Sequence, residues 1–124
     1  LSSEDDLLQN SILIQLEKEG FTSSTLAQLS LKTGNSKEKL MKVINVAEQQ
    51  GKLLRIDGNL MFTQTNFTKL KEKVAQHFSN HSEMSVSEFK ELAHTSRKYA
   101  VPLLEYFDKK KITYREGNAR KLVR

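Results

Sequence analysis

The chain has 124 residues, of which 37% are hydrophobic and 28% charged, with a formal net charge of +5 and no cysteine. That composition belongs to soluble globular proteins and excludes disulfides, thiolate metal sites and cysteine catalysis. The richest apolar run, Ile12, Leu13 and Ile14, stops at Gln15, far short of the roughly 20 residues needed to span a bilayer.

The elements follow in chain order. Ser3-x-x-Asp6 resembles a capping box, with Asp in the Glu position. Leu8, Ile12 and Leu16 then recur at helical spacing, and Leu7, Leu13 and Ile14 widen the expected buried face. Gly20 ends this helix, and Phe21 and Thr22 form a short extended link. Ser23, Ser24 and Thr25 offer caps for a second helix, with Leu26, Leu29 and Leu31 as its apolar residues. A turn at Thr33, Gly34 and Asn35 leads to Ser36, the expected cap of a third helix that buries Leu40, Val43, Ile44 and Ala47 and ends at Gly51. Apolar runs at 53–56 and 60–62 flank Asp57, Gly58 and Asn59, a strong hairpin signal.

The second half repeats this order. Phe67, Leu70, Val74 and Phe78 line a long helix that Asn80 and Ser82 interrupt. Met84 and Ser85 read as a short extended link. Ser85 or Ser87 starts the next helix, with Val86, Phe89 and Leu92 facing inward. After a turn at His94 and Thr95, Ser96 is the expected cap of a helix that buries Ala100, Leu103, Leu104 and Phe107. Lys109, Lys110 and Lys111 close it, where cations suit the negative end of the helix dipole. A second hairpin follows around Glu116, Gly117 and Asn118. Ser36 and Ser96 are 60 positions apart, and the two hairpin tips are 59 apart. Each half therefore reads helix, helix, helix, hairpin, which is the order of a winged helix. The expected fold is mainly α with small β-hairpin wings, in two tandem modules at 1–63 and 64–124. A lone unit of this size buries only about 60% of its unfolded surface.

Charge separates the halves. Residues 1–62 carry 7 Lys/Arg and 8 Asp/Glu, whereas residues 96–124 carry 9 and 3, a surplus of +6. Such asymmetry points to a polyanion partner at the C-terminal end; a solvated lysine-rich face is the plain alternative. The first third helix, 36–50, has a net charge of only +1. The second opens with Arg97, Lys98 and Tyr99. Cations at the positive end of a helix dipole are mildly unfavourable alone and make sense if a phosphate docks there. Arg115, Asn118, Arg120 and Lys121 surround the second wing tip, so these residues are expected to share one basic patch. Pro102 lies inside the same helix, where it either is a tolerated bend or aims the first turn. Tyr99 and Tyr114 are candidates for stacking on a base, although Tyr99 also lies near the core face. These features leave DNA and RNA open: a helix enters the B-DNA major groove but not that of A-form RNA.

The stretch 85–124 resembles the last winged-helix module of bacterial selenocysteine-specific elongation factors (SelB). The resemblance is carried by Ser85, Val86, Ser87, Glu88 and Phe89, by the run from Thr95 to Asp108, and by Arg115-x-Gly117-Asn118-x-Arg120. The family often has Asp where this chain has Asn118. The first half matches as the preceding module, in order and length. The resemblance implies an mRNA-binding C-terminal region whose last module grips the loop and upper stem of a selenocysteine insertion hairpin beside an in-frame UGA. It implies RNA-binding roles for Arg97, Lys98, Tyr99, Arg115, Asn118, Arg120 and Lys121, with the first module as spacer or hinge. It also implies a GTPase, with GTP and Mg²⁺, outside this chain, and contacts of the whole factor with the ribosome and selenocysteyl-tRNA. A start at Leu1 rather than Met fits a piece of such a longer protein. The expected setting is a cytoplasmic monomer without a membrane partner. A tandem winged-helix DNA-binding regulator is the competing reading, and a protein-interaction scaffold a third. No catalytic constellation is apparent. His77 and His81, at i and i+4, have a zinc-compatible spacing but lack further ligands beyond Glu83, and no metal or cofactor is expected in this chain.

Overall fold

The computed structural model describes residues 2–57 and 60–124. The chain divides into two compact units, Leu1–Asn66 and Phe67–Arg124. The first contains α1 (Ser3–Glu19), α2 (Leu26–Thr33), α3 (Lys37–Gln49), β1 (Leu53–Ile56) and β2 (Leu60–Thr63). Helix α4 (Gln64–Asn80) begins at the end of this unit and belongs mostly to the second. There it is followed by β3 (Met84–Ser85), α5 (Val86–Ala93), α6 (Arg97–Lys109), β4 (Thr113–Glu116) and β5 (Ala119–Leu122).

In the first unit Ile12 and Leu16 of α1 pack with Leu29, Leu40, Ile44 and Ala47 and with Leu53 and Met61 of the wing. Three expected core residues lie outside it: Leu7, Ile14 and Leu31 are exposed, Leu31 by 87%. The reason is angular. At 100° per residue, Ile14 lies 200° around the helix from Ile12, as does Leu31 from Leu29. The cap of α1 is Ser2, whose hydroxyl accepts from the Asp5 amide at 3.1 Å, and Ser3 is already helical. Thr25 caps α2 in a reciprocal box with Gln28, and Ser36 caps α3 by accepting from the Lys39 amide. Strands β1 and β2 pair antiparallel from Leu53↔Thr63 to Ile56↔Leu60. Asp57 of the expected hairpin tip has φ 53°, and Gly58 and Asn59 lie outside the described residues.

The second unit buries the α4 stripe of Phe67, Leu70, Val74 and Phe78. Phe107 of α6 meets Phe67 and Phe89 at centroid distances of 5.2 and 5.5 Å. Ser85 and Glu88 form a capping box on α5, with the Ser85 amide donating to the carboxylate at 2.8 Å. That amide holds the Glu88 carboxyl below its ordinary value of 4.5. Ser96 occupies the cap position of α6 but makes no side-chain cap bond; instead its carbonyl accepts from both the Tyr99 and Ala100 amides. The link read at Met84 and Ser85 is a third strand, pairing Met84↔Arg120 and Ser85↔Ala119 to give the order β3-β5-β4. In the first unit a side chain meets the equivalent wing strand, as the Ser23 hydroxyl accepts from the Met61 amide at 3.0 Å.

Candidate nucleic-acid interface

The wing of the second unit is built on one acid. Asp108, in the last turn of α6, accepts from Arg120 Nε and Nη2, each at 3.1 Å, and from the Thr113 hydroxyl at 2.7 Å. One carboxylate thus ties both wing strands to the helix. An acid at a helix C-terminus opposes the dipole, so Asp108 carries a signal of another task that the sequence reading passed over. Gly117 turns the hairpin at φ 63°, and its carbonyl accepts from Arg115 Nε at 3.0 Å.

Between this wing, the start of α5 and the first half of α6 lies a cavity of about 320 Å³. Arg97, Arg115, Asn118 and Arg120 line it, together with Ser85 and Ser87. Val101 and Leu104 give it an apolar wall, and Glu105 is its one acid. Among the described residues Arg97 and Arg115 make no ion pair, so two uncompensated guanidinium groups face a partly apolar recess. Such a recess suits an anion joined to a flat or apolar group. Ser85 and Ser87 were read only as helix caps; their place in the cavity follows from the pairing of β3 with β5.

The structure divides the expected patch. Four of its seven residues, Arg97, Arg115, Asn118 and Arg120, share the cavity. Arg120 is buried, 6% exposed, and committed to Asp108; it positions the wing and offers no free charge. Lys121 pairs across the ladder with Tyr114 and makes an ion pair with Glu116 at 3.4 Å. Alternation along a strand puts Tyr114 and Lys121 on the opposite face from Arg115 and Arg120. Accordingly, Tyr114 and Lys121 line a different cavity, with Phe78, Val123 and Arg124. Lys98 is exposed, with Nζ 5.4 Å from the centroid of the half-buried Tyr99 ring. His77 and His81 stack at 4.4 Å, and among the described residues no group of three acidic or histidine side chains is placed to hold a metal.

Four of the first unit's seven cations, including the wing arginine Arg55, are compensated. Lys42 pairs with Asp5 at 3.2 Å, Lys39 with Glu4 at 3.1 Å, Lys32 with Glu19 at 3.1 Å and Arg55 with Glu48 at 3.2 Å. The hydrogen bond to Lys42 is the main cause holding the Asp5 carboxyl below its ordinary range. Burial pushes Glu19 up, but hydrogen bonds from Gln15, Ser24 and Lys32 outweigh it and leave that carboxyl lowered.

Comparison with known proteins agrees with this geometry. Residues 76–122 match the family model described as elongation factor SelB, winged helix. A selenocysteine-specific elongation factor from Desulfomicrobium baculatum is 28% identical over 107 residues, covering 86% of this chain and 15% of that protein. The chain thus spans about one-seventh of the curated relative it matches. Among solved structures, the mRNA-binding domain of elongation factor SelB from E. coli, in complex with SECIS RNA, superposes with a TM-score of 0.80 at 21% identity, covering 99% of this chain and 100% of that one. A bacterial selenocysteine-specific elongation factor, EF-Sec, superposes with a TM-score of 0.69 at 24% identity over 99% of this chain and 19% of that one. No helix among the described residues is long and apolar enough to cross a membrane. Residues 76–122 of the second unit are thus similar to the SelB winged helix, and the whole chain shares the fold of the SelB mRNA-binding domain.

Proposed function

We propose that the chain is the mRNA-binding end of a selenocysteine-specific translation elongation factor, and that its second unit holds the loop and upper stem of a selenocysteine insertion hairpin. The observation that carries this reading is the cavity where unpaired Arg97 and Arg115 converge with Asn118 at the wing tip, on a SelB-type winged helix. Arg97 and Arg115 contact phosphates or loop bases, and Asn118 reads a polar base edge. Lys98, next to Arg97 in the first turn of α6, adds a phosphate contact, with its ammonium over the Tyr99 ring. Arg120 acts through Asp108 by fixing the wing. The first unit, which pairs four of its seven cations internally, serves as a spacer. The chain contains no GxxxxGK[ST] phosphate cradle, so GTP, Mg²⁺ and the delivery of selenocysteyl-tRNA to the ribosome belong to the rest of a cytoplasmic factor.

Binding to a panel of RNA stem-loops across a salt series tests this. The panel holds hairpins that follow in-frame UGA codons, loop-scrambled versions and a duplex DNA. Three unpaired cations, Arg97, Lys98 and Arg115, predict a log–log salt slope of roughly −2 to −3, with binding lost on loop scrambling. Preference for the duplex DNA would instead favour a DNA-binding regulator.

A further inference from the structure

The base of the second wing carries another basic surface, distinct from the tip cavity. Lys109, Lys110 and Lys111 are consecutive and exposed, as is Arg124. The ladder pairs Thr113 with Leu122, and the Val123 amide donates to the Ile112 carbonyl at 3.1 Å. Lys111 and Arg124 adjoin this Ile112–Val123 pair in sequence. Among the described residues none of the four makes an ion pair. Lys110 lies 5.5 Å from the Tyr106 ring. On the strand that follows Lys111, Tyr114 is 44% exposed, and just past its partner strand Val123 is 41% exposed; both line a cavity of about 500 Å³ together with Lys121 and Arg124.

Helix-dipole stabilisation accounts for Lys109 and Lys110. It does not account for the rest. Lys111 sits at φ 60°, in the left-handed region where a side chain is strained. Its counterpart 60 positions earlier is Gly51, at φ 74°, which suits the same backbone without strain. The two residues before it are Gln49 and Gln50 in the first unit and Lys109 and Lys110 in the second. The fold thus accepts uncharged residues and a glycine here, and the second unit has lysines instead, one of them in a disfavoured conformation. An exposed tyrosine between cations has the make-up of a single-strand platform, with the ring stacking on a base and the cations tracking phosphates.

We infer that the wing base is a second RNA-binding surface, which holds a single-stranded segment while the tip cavity holds a hairpin. Tyr114 stacks on an unpaired base, and Lys109, Lys110, Lys111 and Arg124 contact the adjoining phosphates. Arg115 and Tyr114 alternate across the strand and line separate cavities, so one loop does not fill both. The inference does not depend on the hairpin reading.

The test is titration of the full chain with fluorescent oligouridine, alone and in the presence of saturating unlabelled hairpin. The expected result is saturable binding that survives the hairpin, with a salt slope of about −2.8 for four phosphate contacts on a single strand. Tyr114→Ala weakens oligouridine binding roughly 5- to 150-fold, and Lys111→Gln with Arg124→Gln flattens the salt slope. Circular dichroism confirms that these surface variants are folded. Displacement of oligouridine by the hairpin, or affinity indifferent to Tyr114→Ala, overturns the inference. Failure of every hairpin to bind, with oligouridine binding retained, would sink the proposed function and leave this surface standing.

Discussion

The two units share a helix order and a wing, yet they differ in how far they pair their cations. In the first, Lys32, Lys39, Lys42 and Arg55 each lie against an acid of the same unit. In the second, Arg97, Lys98 and Arg115 around the tip, and Lys109, Lys110, Lys111 and Arg124 at the base, have no acidic partner among the described residues. Position by position, Arg55 corresponds to Arg115 and Glu48 to Asp108. Glu48 neutralises the wing arginine of its own unit. Asp108 is taken by Arg120 and Thr113, which leaves Arg115 unneutralised at the wing tip. One fold thus carries a neutralised wing arginine in one copy and an unneutralised one in the other, depending on which side chain the acid of the third helix holds.

The largest effect that would break this comparison is on RNA binding. Arg97→Ala with Arg115→Ala is expected to lower hairpin affinity by at least about 100-fold, since each charge-assisted bond contributes roughly 1.5–3 kcal/mol. Lys37→Ala with Arg55→Ala, at the matching positions of the first unit, is expected to leave affinity within about twofold. Filter binding of the parent and the two double variants decides it, and an equal loss from both pairs would erase the distinction.

Next in size is the wing anchor. Asp108→Ala leaves a buried arginine without its partner and is expected to cost about 2–3 kcal/mol in urea unfolding. Glu48→Ala removes an exposed ion pair and is expected to cost at most about 1 kcal/mol. Comparable losses would mean that the two acids do the same work.

A smaller effect concerns the start of α5. Ser85→Ala removes the hydroxyl that accepts from the Glu88 amide and is expected to cost about 1 kcal/mol. The partner Glu88 has a lowered carboxyl, so its contribution is complete above its ordinary value of 4.5 and fades as pH falls through the folded value. Acid titration of Glu88→Gln is therefore expected to show a shallower loss of stability below pH 4.5 than the parent chain. The smallest effect sharpens the comparison at the wing base. Lys111→Gly is expected to raise stability by up to about 1 kcal/mol, and Gly51→Lys to lower it by a similar amount.

Much of this architecture could be read from spacing alone. The apolar stripes of α3, α4 and α6 repeat at helical intervals, and Gly34 and Gly117 stand where the backbone turns left-handed. The charge surplus at 96–124 falls in the unit that holds the arginine-lined cavity. Other features depend on pairing across the chain and leave no local trace. Met84 and Ser85 become a strand only because β5 has a free edge, and that pairing brings Ser85 to the cavity. Period-two alternation could have separated Lys121 from Arg120, but charge counting treats neighbours as one patch. Arg120 looks like a free cation in sequence because its partner, Asp108, lies on another element. Leu7, Ile14 and Leu31 show the converse error, in which apolar character was taken for burial without regard to angle.

The most direct test of the central claim is an NMR titration of the full chain with a selenocysteine insertion hairpin, following backbone amides. Shifts are expected at Ser85, Ser87, Arg97, Arg115 and Asn118, with residues 37–57 unmoved. Shifts centred on α3 and the first wing, or spread evenly over both units, would contradict the claim.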